Sequence, residues 1–221
     1  MLYIVGNNIN NIEKMYEYLE KEIKLQKHFS PKKVLDLGAW NGRWTREVKK
    51  FWPNAHYTCI EAGRKHKRRL RLCANRVYIA VLGNENKEVN MHLRQIKKGP
   101  EATKVTYTKG SNIFGNASTF PAYTSEVREM VTLKSIVGEN ASYDFIKQDV
   151  QGAELLIMQG SSEIFKKAKY VLNEVNVEKD PNHPVIPDIK EMDLYMKTLG
   201  FNNSEIIENH GRQQVDKLYF R

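Results

Sequence analysis

The segment Val34-Leu35-Asp36-Leu37, followed by Gly38-Ala39-Trp40-Asn41-Gly42, constrains the chain more than any other. A short apolar strand that ends in Asp-x-Gly-x-x-x-Gly and runs into a helix makes a turn at the carboxyl edge of a sheet, where α/β proteins bind ligands. Glycine allows the tight turn and lets a neighbouring group approach without meeting a Cβ. The helical stretch after the loop carries Trp44, Val48, Phe51 and Trp52 toward one side, and Pro53 stops it.

The rest of the chain continues the alternation. Tyr57-Thr58-Cys59-Ile60 reads as a second strand ending in Glu61, with a basic helix reaching about Asn75. Tyr78 to Leu82 reads as a third strand, and Val89 to Leu93 as an additional, half-exposed one. Tyr143 to Lys147 is the fourth major strand, a helix runs from about Ala153 to Ala168, and Tyr170 to Val175 is the fifth. A helix from Asp188 to Leu199 stops at Gly200, and two strand-like runs, Ser204 to Glu208 and Val215 to Tyr219, flank the turn Asn209-His210-Gly211. This pattern predicts an α/β, doubly wound, Rossmann-like sheet, mostly parallel with a C-terminal antiparallel hairpin strand. It is the layout of the class I methyltransferase fold. We assign residues 31–221 to this domain and residues 1–30 to an N-terminal helical extension, where Ile12, Met15, Tyr16, Leu19 and Ile23 recur at helical spacing. From Lys97 to Thr124 the chain is polar and rich in Gly, Ser, Thr and Asn, which predicts a long loop; Gly110 to Phe120 has the composition of a lid or of a plain surface excursion.

Composition narrows the setting. Apolar residues make up 41% and charged residues 28% of the 221, a globular balance. No apolar run approaches the roughly 20 residues of a membrane-spanning helix, and the start, Met1 to Gly6, lacks the pattern of a signal peptide. Cys59 and Cys73 are the only cysteines, which predicts a reduced, cytoplasmic protein. The six histidines, His28, His56, His66, His92, His183 and His210, show no metal-ligand spacing, so no metal is expected. The net charge of +9 would draw an anionic partner: an acidic glycan, a nucleotide-linked sugar or nucleic acid. The run Arg64 to Arg71 is either a solvated helix face or an anion-binding patch.

The loop spacing excludes dinucleotide binding, which needs G-x-G-x-x-G; here three residues separate Gly38 from Gly42 and no third glycine follows. S-adenosyl-L-methionine carries no phosphate and needs no such cradle. Glu61, about 20 residues past the loop, stands where an acid accepts hydrogen bonds from ribose hydroxyls. Asp36 would anchor the loop or reach the ligand's amino group, with Gly38 and Gly42 clearing its path. The candidate cofactor-binding residues are these four with Ala39, Asn41, Ala62 and Val81.

A second block, Tyr143-Asp-Phe-Ile-Lys147-Gln-Asp149-Val-Gln-Gly152-Ala-Glu154, resembles the K-x-D-x-x-G-x-E signature of the FkbM-type methyltransferase family. The resemblance runs from about Val34 to Phe201, with Val131 to Ile136 and Leu172 to Asn176 also fitting. Trp40 departs from the asparagine frequent there in the family, and Ala62-Gly63 replaces a proline after the acid. The resemblance implies O-methylation, often of sugar or secondary-metabolite hydroxyls. Lys147 and Asp149 end a strand beside the switch point where the acceptor would sit, or form a simple ion pair; Glu154 falls in a helix's first turn, where it could also serve as a cap. Deprotonating a hydroxyl needs a base, and Asp149 is the first candidate, Glu174 the second. Were a hard cation to bind, Asp149, Glu154 and Glu174 would be its acidic ligands. The first loop also resembles that of RNA ribose methyltransferases, with Asp149, Lys179, Glu208 and a lysine of the first helix as the corresponding set. A module that binds the cofactor without catalysis is the remaining alternative.

Overall fold

The computed structural model describes residues 29–97, 105–107, 113–114, 123–181, 185–210 and 213–221. The expected N-terminal helix and most of the 97–124 loop, including all but Ile113 and Phe114 of the lid segment, lie outside the described residues. In chain order the elements are β1 (Lys33–Leu37), α1 (Arg43–Lys49), β2 (His56–Glu61), α2 (Lys67–Leu70), β3 (Arg76–Ile79), β4 (Val81–Gly83), β5 (Lys87–Lys97), β6 (Val105–Tyr107) and β7 (Tyr123–Thr132). They continue with α3 (Leu133–Val137), β8 (Phe145–Gln148), α4 (Glu154–Gly160), α5 (Ser162–Phe165), β9 (Tyr170–Asn176), α6 (Ile189–Thr198), β10 (Asn203–Asn209) and β11 (Gln214–Phe220).

Seven strands form the main sheet in the order β10-β11-β9-β8-β1-β2-β3. The pairs among β9, β8, β1, β2 and β3 are parallel, and β11 runs antiparallel to both of its neighbours. This is the predicted class I methyltransferase sheet. The chain leaves β1 toward β2 on one side and reaches β8 on the other, so the strand order reverses at β1 and a crevice opens beyond the carboxyl ends of β1 and β8.

Several elements differ from the sequence expectation. The predicted third strand divides at Ala80: β3 completes the main sheet beside β2, whereas β4 joins a second sheet of order β4-β7-β5-β6. The physical reason is that β2 ends at Glu61, whose carbonyl takes the Ala80 N–H, leaving Val81 no further partner there. β7 was hidden because its exposed residues are mostly polar, with Met130 and Thr132 buried near its end. Within the expected loop, β6 pairs with β5. Phe51, expected to face inward, is 42% exposed, because α1 has already ended at Lys49. The basic stretch is a single 3-10 turn (Arg64–His66) leading into α2, with only Leu70 buried. The predicted 153–168 helix breaks at Ser161, whose hydroxyl accepts the Lys134 N–H.

Period-2 alternation divides the core between the two sheet faces. Leu35, Leu37, Ile146, Val171 and Val175 pack with Ile157 and Met158 of α4 and Met192 and Met196 of α6. On the opposite face Val34, Phe145, Tyr170 and Leu218 pack with Val48 of α1 and with Trp52. α6 is held by a capping box between Asp188 and Glu191.

Candidate active site

The loop after β1 is built by its neighbours on three sides. Gly38 and Ala39 both donate their N–H groups to the Ile60 carbonyl at the end of β2, at 3.0 and 3.2 Å. Gly38 has φ +71°, and a Cβ there would stand 1.8 Å from the Asp149 carbonyl oxygen. Gly42 has φ +76°, and its Cβ would stand 2.7 Å from the Cys73 Sγ. Both glycines therefore make room for the protein's own packing: Gly38 for the strand end after β8, Gly42 for the α2 segment. Ala39 is buried against Cys59 and Leu70. Asn41 uses its side-chain oxygen to accept the Arg43 N–H at 3.0 Å, so it shapes the start of α1.

Asp36 is fully buried, and its Oδ2 accepts the Thr45 hydroxyl of α1 at 2.6 Å. Its Oδ1 lies 3.4 Å from the Lys147 ammonium. Of the two expectations for Asp36, the geometry is that of an anchor tying β1 to α1 and β8.

Glu61 closes the other wall. One carboxylate oxygen accepts the Trp40 N–H and the other the Gly63 N–H, each at 2.7 Å. Trp40 reaches this position through a left-handed backbone, φ 47°. Burial pushes the Glu61 carboxyl up from its ordinary value, opposed by the bonds from Gly63 and Trp40. A carboxylate has about four acceptor sites, so with one N–H on each oxygen it keeps capacity for a vicinal diol. These acceptor positions fit the hydroxyls of a ribose. Ala62 and Val81 instead border a small cluster with Met91 and Met130, where Val81 is buried.

The second block lies alongside. β1 and β8 pair with Asp36 opposite Lys147, and alternation puts both on the α1 face. Lys147 is buried, 3.5 Å from both the Gly38 carbonyl and the Asp149 Oδ2. Burial alone would lower its pKa, but Asp36, Asp149, Asp216 and Glu174 outweigh it and hold the ammonium above its ordinary value. A permanently protonated Lys147 is a fixed positive charge and cannot serve as the base.

Asp149 and Glu174 are bridged by one residue that the sequence reading passed over. The Gln151 amide donates to Asp149 Oδ1 at 2.8 Å and to Glu174 Oε2 at 3.0 Å. Glu154 is buried and its Oε1 accepts the Val150 N–H at 2.9 Å. Burial raises its pKa to about 7, against backbone hydrogen bonds that favour the anion. Glu154 thus holds the turn. Lys179, nominated for an RNA-methylating set, forms an ion pair with Glu191 of α6, and the lysine of the first helix lies outside the described residues.

The structure adds Trp40, Thr45 and Gln151 to the predicted residues. It also adds His210 and Asp216, whose ligand atoms lie within 4.8 Å of Glu174's and of each other's. Asp216 could have been found from pairing Val215 to Tyr219 against the fifth strand, but the register is needed to set it opposite Glu174.

Several solved structures are similar to the chain along its length. WbdD, in a co-crystal with a kinase inhibitor, is similar over 99% of this chain at 11% identity and TM-score 0.51; the chain spans 41% of WbdD's length. The N-terminal domain of EvdMO1, with SAH bound, matches over 95% of this chain and 79% of its own at 10% identity and TM-score 0.47. A TehB-like SAM-dependent methyltransferase from Corynebacterium glutamicum matches over 98% and 90% at 9% identity and TM-score 0.48. No curated protein sequence matches significantly. Among the described residues no helix is long and apolar enough to cross a membrane. The family model described as Methyltransferase FkbM domain matches residues 36–202, more than half of the chain, and the protein therefore belongs to the FkbM family of S-adenosylmethionine-dependent methyltransferases.

Proposed function

We propose that the protein methylates a hydroxyl oxygen of a sugar, glycan or small metabolite, with Asp149 as general base and Glu174 behind it. The observation that carries this reading is the Asp149–Gln151–Glu174 bridge at the switch point, beside the buried Lys147. S-adenosylmethionine, held by the Asp36–Gly42 loop and Glu61, supplies a methyl group on a sulfonium leaving group. The chain's contribution is to orient the acceptor and to take its proton. Gln151, donating to both carboxylates, fixes their relative position, and Lys147 supplies an unchanging positive charge beside them.

The acceptor we favour is anionic or sugar-linked. The net charge is +9, and Arg64, Lys65, Lys67, Arg68 and Arg69 are exposed just past Glu61. We place the reaction in the cytoplasm, in keeping with two buried free cysteines among the described residues.

The test is methyl transfer from labelled S-adenosylmethionine to sugar phosphates, acidic oligosaccharides and RNA, for wild type and Asp149→Ala. The substitution should cut turnover by about 10²–10⁴-fold while calorimetric affinity for S-adenosylhomocysteine stays nearly intact. Unchanged turnover would remove Asp149 from the role. Transfer to RNA alone would favour the ribose-methylating alternative, and cofactor binding without any turnover would favour a non-catalytic module.

A further inference from the structure

We propose that Glu174, His210 and Asp216 form a binding site for one divalent transition-metal ion at the acceptor edge of the sheet. Each offers one ligand atom, and the three lie within 4.8 Å of one another. The fold assembles them from three places. Glu174 is near the carboxyl end of β9, and Asp216 stands directly opposite it on the antiparallel β11. His210 follows β10, and its N–H donates to the Gln214 carbonyl at 2.9 Å. Its Nε2 lies 3.1 Å from Asp216 Oδ2.

One feature of the sheet asks for a cation here. Like charges directly opposite each other on neighbouring strands destabilise a sheet, and Glu174 and Asp216 are such a pair, both half-buried. The imidazole supplies what a merely acidic cluster lacks. One nitrogen and two carboxylate oxygens suit Zn²⁺ or Mn²⁺ better than Ca²⁺ or Mg²⁺, which prefer all-oxygen shells. Three protein ligands leave coordination open for water or a hydroxyl, as in catalytic metal sites. The Gln151 amide, bonded to Glu174 Oε2, orients that carboxylate from behind.

This set differs from the acidic trio expected from sequence, sharing only Glu174 with it; Glu154 is committed to the Val150 N–H. It also runs against the expectation of no metal. The cation's use would be to bind the acceptor hydroxyl and lower its pKa next to Asp149. That use rests on the methyl-transfer reading above; the binding of the ion does not.

The experiment titrates the full chain, freed of metal by chelation, with Mn²⁺ followed by the free-ion electron paramagnetic resonance signal, and with Zn²⁺ followed by calorimetry. We expect one ion per chain, with Zn²⁺ the tighter and able to displace Mn²⁺. His210→Ala and Asp216→Asn should each weaken binding by at least about tenfold, with circular dichroism and S-adenosylhomocysteine affinity unchanged. Glu139→Gln, an exposed control, should bind as wild type. Failure of both ions to bind wild type would overturn the site, as would wild-type affinity in His210→Ala and Asp216→Asn. Metal binding lost in these variants while no acceptor is turned over would uphold the site and count against the methyl-transfer reading alone.

Discussion

One face of the main sheet carries two unlike regions a few residues apart. At the amino ends of the parallel strands, Val34, Phe145, Tyr170 and Phe220 stand side by side in register. Trp44 and Trp52 lie over Phe145 with ring centroids at 5.9 and 5.3 Å, and Tyr170 follows at 6.2 Å. Two residues further along the same strands, Asp36 and Lys147 pair across β1 and β8, and beyond them Glu174 faces Asp216. The aromatic end is held by area and dispersion, which tolerate imperfect shape and ignore pH. The ionic end is held by paired charges taken out of water, where the loss of one partner strands the other. The fold rests on the first, and the candidate site lies at the second.

The sharpest way to break this contrast is Lys147→Met. It leaves Asp36, fully buried, facing no cation, and should cost about 3–5 kcal/mol, read as a shift in denaturant midpoint. A cost no greater than that of an aromatic substitution would mean Lys147 does not hold the ionic end together.

Glu154→Gln tests the same end from the opposite direction. The folded carboxyl titrates near pH 7 against an ordinary 4.5, so the folded chain binds this proton more tightly than the unfolded one. Its contribution to stability is complete below about pH 4.5 and is lost as pH rises through about 7. The glutamine keeps an acceptor for the Val150 N–H without the charge. At about pH 8 it should stabilise by on the order of 2–3 kcal/mol, with little gain near pH 4.5. A gain that does not vary with pH would separate Glu154 from the effect.

Phe145→Leu should have the smallest consequence, on the order of 1–2 kcal/mol from lost aromatic contacts and a partly filled void. Melting followed across pH 5–9 should show a constant offset. A pH-dependent cost would mean the two regions are coupled through β8.

Much of this was legible without coordinates. The Asp36–Gly42 loop, the acid at Glu61 and the Lys147–Glu154 block each announce themselves as local strings, because a strand end that turns into a helix needs particular residues at fixed spacing. The legible part stops where contacts join strands. Gly38 and Gly42 looked like space for a ligand, yet a Cβ at either would strike Asp149 or Cys73, far off in sequence. Glu154, readable as a cap or as a cation ligand, accepts the Val150 N–H; Gln151, given no role from sequence, bridges two carboxylates. β7 escaped because an exposed, charged strand carries no period-2 apolar signal.

By itself, then, the sequence determined the α/β class, the strand–loop–helix turn at Asp36–Gly42 and the family block, since these depend on neighbours along the chain. Only the tertiary structure decided that Asp36 meets Lys147 and that Glu174 meets Asp216 and His210. Alternation dictates which face of its own strand a residue takes; register, which no single strand encodes, dictates whom it meets there.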